Sequence, residues 1–283
     1  MKKLIAIDMD GTLIGETGIS QEDKKAMLEA QEAGHIVAIV SGRSHESVLA
    51  LLEEEGITNL PVSGSNGAIT IVDNGEISRV SMPDQLVEDV YAHLEEQGYP
   101  FLIYTSEGVY SKHDFLDRVK SEFEQTAGAK GSPFESYEFM AEYNKNHGVI
   151  TFNELSEVLE KKPSIFKVFV FLPNPQKKER CSGHISTLED VMLTSSYIDN
   201  ISISSSLGHK GTGLVALAEH FGIPLENTVA MGDNLNDLGM LKIAGLSIAM
   251  ANAEPEVKGA CHKVTLSNLE SGVAHAIREF VLK

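Results

Sequence analysis

The apolar run Leu4-Ile5-Ala6-Ile7 breaks off into Asp8-Met9-Asp10-Gly11-Thr12-Leu13, and this change dictates what the N-terminal segment can form. Consecutive apolar residues of this kind read as a strand buried on both faces. On an alternating strand Asp8 and Asp10 project to the same side. Two carboxylates placed there repel unless a cation, a proton or both intervene. Gly11 permits a tight turn and Thr12 can bond to local backbone. The plain alternative is a strand ending in a polar turn, and the rest of the chain decides between the two.

Up to about residue 83, strand and helix patterns alternate. Ser20-Gln21-Glu22-Asp23 begins a helix with Ala26, Met27, Ala30 and Ala33 on one face and Gly34 as its stop. A strand from His35 to Val40 leads into Ser41-Gly42-Arg43, and a helix from about Ser44 buries Val48, Leu49 and Leu52 before ending at Gly56. Leu60 to Val62 enters Ser63-Gly64-Ser65-Asn66-Gly67, and a strand from Ala68 to Val72 meets the hairpin turn Asp73-Asn74-Gly75. The same grammar returns after about residue 207. A helix follows Lys210, with Leu214, Leu217, Ala218 and Phe221 at helical spacing, and strands run from Thr228 to Met231 and from Leu246 to Met250. Ser267-Asn268-Leu269-Glu270 is a capping box for a final helix burying Val273, Ile277 and Phe280.

Such alternation implies an α/β fold, a Rossmann-like core with a parallel sheet and helices on both faces. Between the halves the rhythm changes. Residues 84–97 read as helix, Phe101 to Lys112 as a hairpin, and a further helix starts near Asp114. Gly128 to Lys162 is polar and irregular, followed by strands from Ile165 to Leu172 and from Tyr197 to Ser204. This stretch is too long for a loop, so 84–206 is expected to be a smaller α+β domain inserted into a core made of 1–83 and 207–283.

Composition narrows the function. With 42% apolar residues, disorder is disfavoured, and a formal charge of -18 argues against nucleic acid or an anionic membrane as partner. Any phosphate site in such a chain needs local cations. Cys181 and Cys261 make no disulfide framework, which suits a cytoplasmic location. Cys181 with His184, and Cys261 with His262, lack the paired spacing of a zinc site. No apolar stretch reaches the length of a membrane span. Lys177-Lys178-Glu179-Arg180 reads as solvated surface.

Asp8–Asp10, Ser41–Arg43 and Gly232–Asp237 each lie just past the carboxyl end of an expected strand, and Lys210 opens a helix. In an open α/β sheet those ends form the ligand crevice, so Asp8, Asp10, Ser41, Lys210, Asp233, Asn236 and Asp237 are expected to converge. Several carboxylates at one spot call for a hard cation, and Mg²⁺ takes carboxylates, waters and phosphate oxygens. Lys210 and Ser41 are donors suited to phosphoryl oxygens. An aspartate can attack phosphorus while a neighbouring carboxyl acts as general acid and base. Phosphate-monoester hydrolysis demands accelerations up to ~10²¹, so no single group suffices.

These ordered segments resemble the four motifs of the haloacid dehalogenase superfamily, in particular its Cof-type sugar-phosphate phosphatases. They are Asp8-Met9-Asp10-Gly11-Thr12-Leu13, Ser41-Gly42-Arg43, His209-Lys210-Gly211 and Gly232-Asp233-Asn234-Leu235-Asn236-Asp237. Ser65-Asn66-Gly67-Ala68, Ala249-Met250-Ala251-Asn252-Ala253 and Ser271-Gly272-Val273-Ala274 are similar as well. The resemblance implies that Asp8 is the nucleophile and Asp10 the general acid/base, with Lys210 assisting catalysis. It also implies that Mg²⁺ is held by the Asp8 and Asp233 carboxylates and the Asp10 backbone carbonyl, with Asp237 supporting the metal's water shell or Lys210. Met9 (through its backbone), Ser41, Gly42, Lys210 and Asn236 then hold the phosphoryl group of a small phosphate ester. The insertion falls where that subfamily carries its α+β cap.

Rival readings remain. A phosphotransferase or phosphomutase would use the same aspartyl phosphate, and a non-catalytic phospho-ligand sensor would have no need of Asp10. Gly211-Thr212-Gly213-Leu214-Val215-Ala216 fits a dinucleotide fingerprint, which gives an NAD-binding oxidoreductase a foothold but leaves Asp8 and Asp10 unexplained.

Overall fold

The computed structural model describes residues 1–15, 18–126, 137–146, 148–195 and 198–283. The chain divides into two compact units, Met1–Arg79 with Gly208–Lys283, and Val80–Leu207.

In the first unit the strand Leu4–Ile7 lies at the centre of an eight-stranded sheet, flanked by Thr228–Gly232 and Ile36–Val40. Both neighbours run parallel to it, Ile7 standing beside Met231 on one side and Ile39 on the other. All four of its residues are fully buried, as an unbroken apolar run requires when both faces are covered. Leu246–Ala249 and Lys263–Val264 extend one edge in parallel, and Val62–Gly64 the other. The last two strands, Ile69–Val72 and Gly75–Arg79, are antiparallel, so the sheet is mixed rather than wholly parallel. Asp73 and Asn74, both at positive φ, form a two-residue turn that can join only antiparallel neighbours.

The helix Gln21–Glu32 is capped by Ser20, which accepts from the Asp23 amide, and it stops at Gly34 with φ 87°. Ala26, Met27 and Ala30 are buried, whereas Ala33, at the cap, is exposed. Asp23 is itself buried: its carboxylate accepts from Ser20 Oγ at 2.7 Å and from the Ala274 amide at 2.7 Å. The capping box at Ser267–Glu270 closes a single 3₁₀ turn instead of starting the final helix. Ser271, at φ 55°, then breaks the path, and the helix begins at Gly272. A π-helical turn over Ile277–Val281 comes next, which carries Val281 into the core and leaves Phe280 half-buried.

The second unit is built on a six-stranded sheet in the order Ile150–Phe152, Gly108–Lys112, Phe101–Thr105, Ile165–Phe171, Asn200–Ser205, Val191–Thr194. Side chains from the helices Asp84–Gln97 and Pro175–Ile185 fill one apolar cluster, including Leu86, Val90, Cys181 and Ile185. Phe115, Val119 and Met140, from the helices Phe115–Gln125 and Tyr137–Asn146, fill another. The stretch expected to be irregular thus holds the helix Tyr137–Asn146, the strand Ile150–Phe152 and the helix Leu155–Leu159. Its first part, through residue 136, and Tyr197 of the last expected strand lie outside the described residues. Lys177 is not idle surface, because it bonds the buried Glu122 at 2.5 Å. Among the described residues no helix is long and apolar enough to cross a membrane.

Candidate active site

Asp8 comes directly after the central strand, its amide bonded to the Met231 carbonyl at 3.0 Å. The strand ends at Ile7, and Thr12, Leu13 and Ile14 all turn back to bond the Met9 carbonyl. Alternation therefore stops before Asp10, and the expectation that both carboxylates share a face fails. The Asp8 side chain is buried; that of Asp10 is 54% exposed and meets Arg43, which donates from Nε at 2.8 Å and from Nη2 at 2.5 Å. The Met9 side chain is fully buried, leaving only its backbone available.

Lys210, the first residue of the helix Lys210–His220, is 1% exposed and donates to Asp8 Oδ1 at 2.5 Å and to Asp237 Oδ1. Burial alone would lower its pKa; the charges of Asp237 and Asp8 overcome this and hold it above the usual lysine range. The other oxygen of Asp237 accepts from the amides of Asp233 and Asn234, each at 2.9 Å. Asp237 therefore pins the turn after Thr228–Gly232 to the lysine. Asp8, Asp233 and Asp237 each bring a carboxylate oxygen within 4.8 Å of the others'. Burial, reinforced by the charge of Asp237, pushes Asp8 well above the ordinary carboxylate range. Asp233 is raised too, first by burial, although the bond from Thr12 works against it.

Three carboxylates against one ammonium leave two negative charges, which fits one divalent cation. The free oxygens belong to Asp8 and Asp233, because those of Asp237 already accept from lysine and backbone. Gly11 lets the two segments approach: it sits at φ +84°, and a Cβ there would fall 2.3 Å from Asp233 Oδ2.

Ser41 is buried after Ile36–Val40, and its Oγ accepts from the Arg43 amide at 3.1 Å. A Cβ on Gly42 would lie 3.2 Å from Asn66 Oδ1 and 3.6 Å from Asn236 Nδ2, so these three residues adjoin. Asn236 donates to Asn66 at 3.1 Å. Sequence reasoning assigned no role to Arg43, Asn66 or Asn252. It also expected Thr12 to bond nearby backbone, yet its hydroxyl donates to Asp233 Oδ1 at 2.8 Å. Asn252 donates to the Gly11 carbonyl at 2.8 Å and so braces the same turn. All four are polar residues whose partners no spacing reveals.

Gly211 and Gly213 lie inside the first turn of a helix, not in a strand-to-helix loop. A Cβ on Gly211 would fall 2.4 Å from the Gly239 carbonyl, and one on Gly213 would fall 2.1 Å from Ser63 Oγ. These glycines serve close packing of that helix, and the dinucleotide reading loses its footing.

A mixed sheet covered by helices, with a buried aspartate–lysine pair and a carboxylate cluster at its strand ends, has the charges to hold a divalent cation beside an anionic group. The sequence pattern of the haloacid dehalogenase-like hydrolases matches residues 5–277, and the chain belongs to that family. It is 32% identical to phosphatase YwpJ of Bacillus subtilis, over 99% of this chain and 100% of that one. It is 31% identical to the 5-amino-6-(5-phospho-D-ribitylamino)uracil phosphatase YwtE of the same organism, over 99% of this chain and 98% of that one. The solved structure of a haloacid dehalogenase-like hydrolase from B. subtilis superposes with a TM-score of 0.79 at 31% identity, covering 99% of this chain and 100% of that one. The protein is a phosphatase of this family.

Proposed function

We propose that the protein is a Mg²⁺-dependent phosphomonoesterase acting on small phosphorylated metabolites through a phosphoaspartyl intermediate on Asp8. The observation that carries this is the buried Asp8 carboxylate, bonded to Lys210 with Asp233 in ligand reach. Asp8 attacks phosphorus, and the ester oxygen leaves with a proton from Asp10. A water that gives its proton to Asp10 then releases phosphate. In this structure the Asp10 carboxylate is bonded to Arg43, so proton transfer requires that pair to open. Lys210, the Ser41 hydroxyl, the Met9 and Gly42 backbone and Asn236 hold the phosphoryl oxygens. Asp8, Asp233 and the Asp10 carbonyl hold the ion, and Asp237 orients Lys210 beside them. Mg²⁺, when bound, offsets the negative charge shared by the attacking carboxylate and the phosphoryl group. The second unit acts as the cap domain that selects the leaving group.

Phosphate release from a panel of sugar phosphates, pyridoxal phosphate and the phosphorylated ribitylaminouracil, with Mg²⁺ or with chelator, tests the reading. Asp8→Asn is expected to lose turnover while its circular dichroism is unchanged; wild-type rates in that variant refute the nucleophile. A rearranged sugar phosphate in place of free phosphate identifies a mutase.

A further inference from the structure

Across the sheet of the second unit, Tyr104, Lys167, Ser204 and Met192 stand opposite one another in register on four adjacent strands. Residues so paired project to one face. Lys167 is half-buried, and its Nζ lies 4.6 Å from the centroid of the Tyr104 ring. Beyond the ring, Tyr104 Oη and Tyr143 Oη are hydrogen-bonded at 2.7 Å. Among the described residues no carboxylate pairs with Lys167. Its pKa is lowered to about 8 by burial alone, with no neighbouring charge to oppose it. Ser204, directly across the strand pair, is 5% exposed, and among the described residues its Oγ has no hydrogen-bond partner.

Both features are costly as they stand. The half-buried ammonium has the face of the Tyr104 ring in place of a counter-charge, and the buried hydroxyl forgoes hydration without a partner among the described residues. A cationic ligand would be repelled by Lys167, and an apolar one would leave Ser204 unpaired. An oxygen-rich anion satisfies both groups. We propose that this register row is a binding site for a small oxyanion, a carboxylate or phosphate group, held by the Lys167 ammonium and the Ser204 hydroxyl. The general field of a chain with formal charge -18 draws no anion to this face, so the local donors must supply the attraction. The site lies within the second unit and does not depend on the hydrolytic reading.

The experiment uses the full chain carrying ¹⁵N-lysine, with the Lys167 Nζ resonance identified by its loss in Lys167→Arg. Acetate and inorganic phosphate are titrated separately at pH 7 and constant ionic strength, with chloride as the reference. A saturable shift with a midpoint at or below ~1 mM is expected for at least one of them, weakened about 5- to 10-fold in Ser204→Ala. Saturation by acetate alone marks a carboxylate site, and saturation by phosphate alone a phosphate site. If neither anion moves the resonance more than chloride does, or if Ser204→Ala titrates like the wild type, the proposal is overturned.

Discussion

Replacing Lys210 by Met removes the only ammonium bonded to Asp8 and Asp237 among the described residues while keeping an unbranched side chain of similar length. The site is buried, so water cannot take over the lost charge. Breaking a buried ion pair from one side costs ~3–5 kcal/mol, because the partner carboxylates stay behind unpaired. The cost must also depend on pH. Burial already raises Asp8 in the folded state, and Lys210 opposes that rise, so the variant raises it further. A carboxyl whose folded pKa exceeds its unfolded one carries no penalty below the unfolded value. The penalty builds as pH climbs toward the folded value. The variant should therefore be weakened more at pH 7 than at pH 5. Native-state hydrogen exchange of the amides in Leu4–Ile7, measured with chelator present, reads the first unit alone. Exchange at pH 7, corrected for its intrinsic rate, should accelerate by ~10²–10⁴, with a clearly smaller factor at pH 5. Equal acceleration at both pH values, or less than about tenfold at pH 7, would refute the assignment of Lys210 as the counter-charge.

Three further outcomes are expected. Mg²⁺ at about 100 times its Kd should stabilise the protein by ~2.7 kcal/mol, a rise in Tm of ~5–10 °C by calorimetry, and Asp233→Asn should abolish the rise. Gly11→Ala forces a side chain against Asp233 at a positive φ, so denaturant unfolding should show a loss of ~1–3 kcal/mol together with lost turnover. Arg43→Gln breaks an exposed pair and should shift unfolding by no more than ~1 kcal/mol; a larger loss would mean the pair holds the fold.

Asp8, Ser41, Lys210 and Asp233 were legible because each ends or opens an element whose apolar pattern is strong. Strand ends on one sheet face one crevice whatever the loops do. Direction was harder. Asp10 was placed beside Asp8 by a period that ends at Ile7, and only the turn's hydrogen bonds show it facing Arg43. Thr12 and Asn66 reach partners more than 150 residues away through single bonds, for which no periodicity exists. In the second unit, Tyr137–Asn146 has Met140 as its one buried residue, and Ile150–Phe152 is three residues long. Signals that weak vanish in a polar stretch. The final helix misled for a different reason: the capping box was real, but Ser271 at positive φ separates it from the helix that starts at Gly272.

The pairing of Leu4–Ile7 with Thr228–Gly232 joins segments more than 200 positions apart in the chain. A ribosome-bound chain that has exposed Asp8 and Ser41 still lacks both the lysine and the second carboxylate, more than 160 residues downstream. Closing so large a contour is entropically slow, and the interposed unit, with apolar clusters of its own, can condense first and shorten the gap. On the proposed mechanism, partial chains are expected to be inert toward phosphate esters, with hydrolytic competence arriving in one step once synthesis has passed the strand Thr228–Gly232.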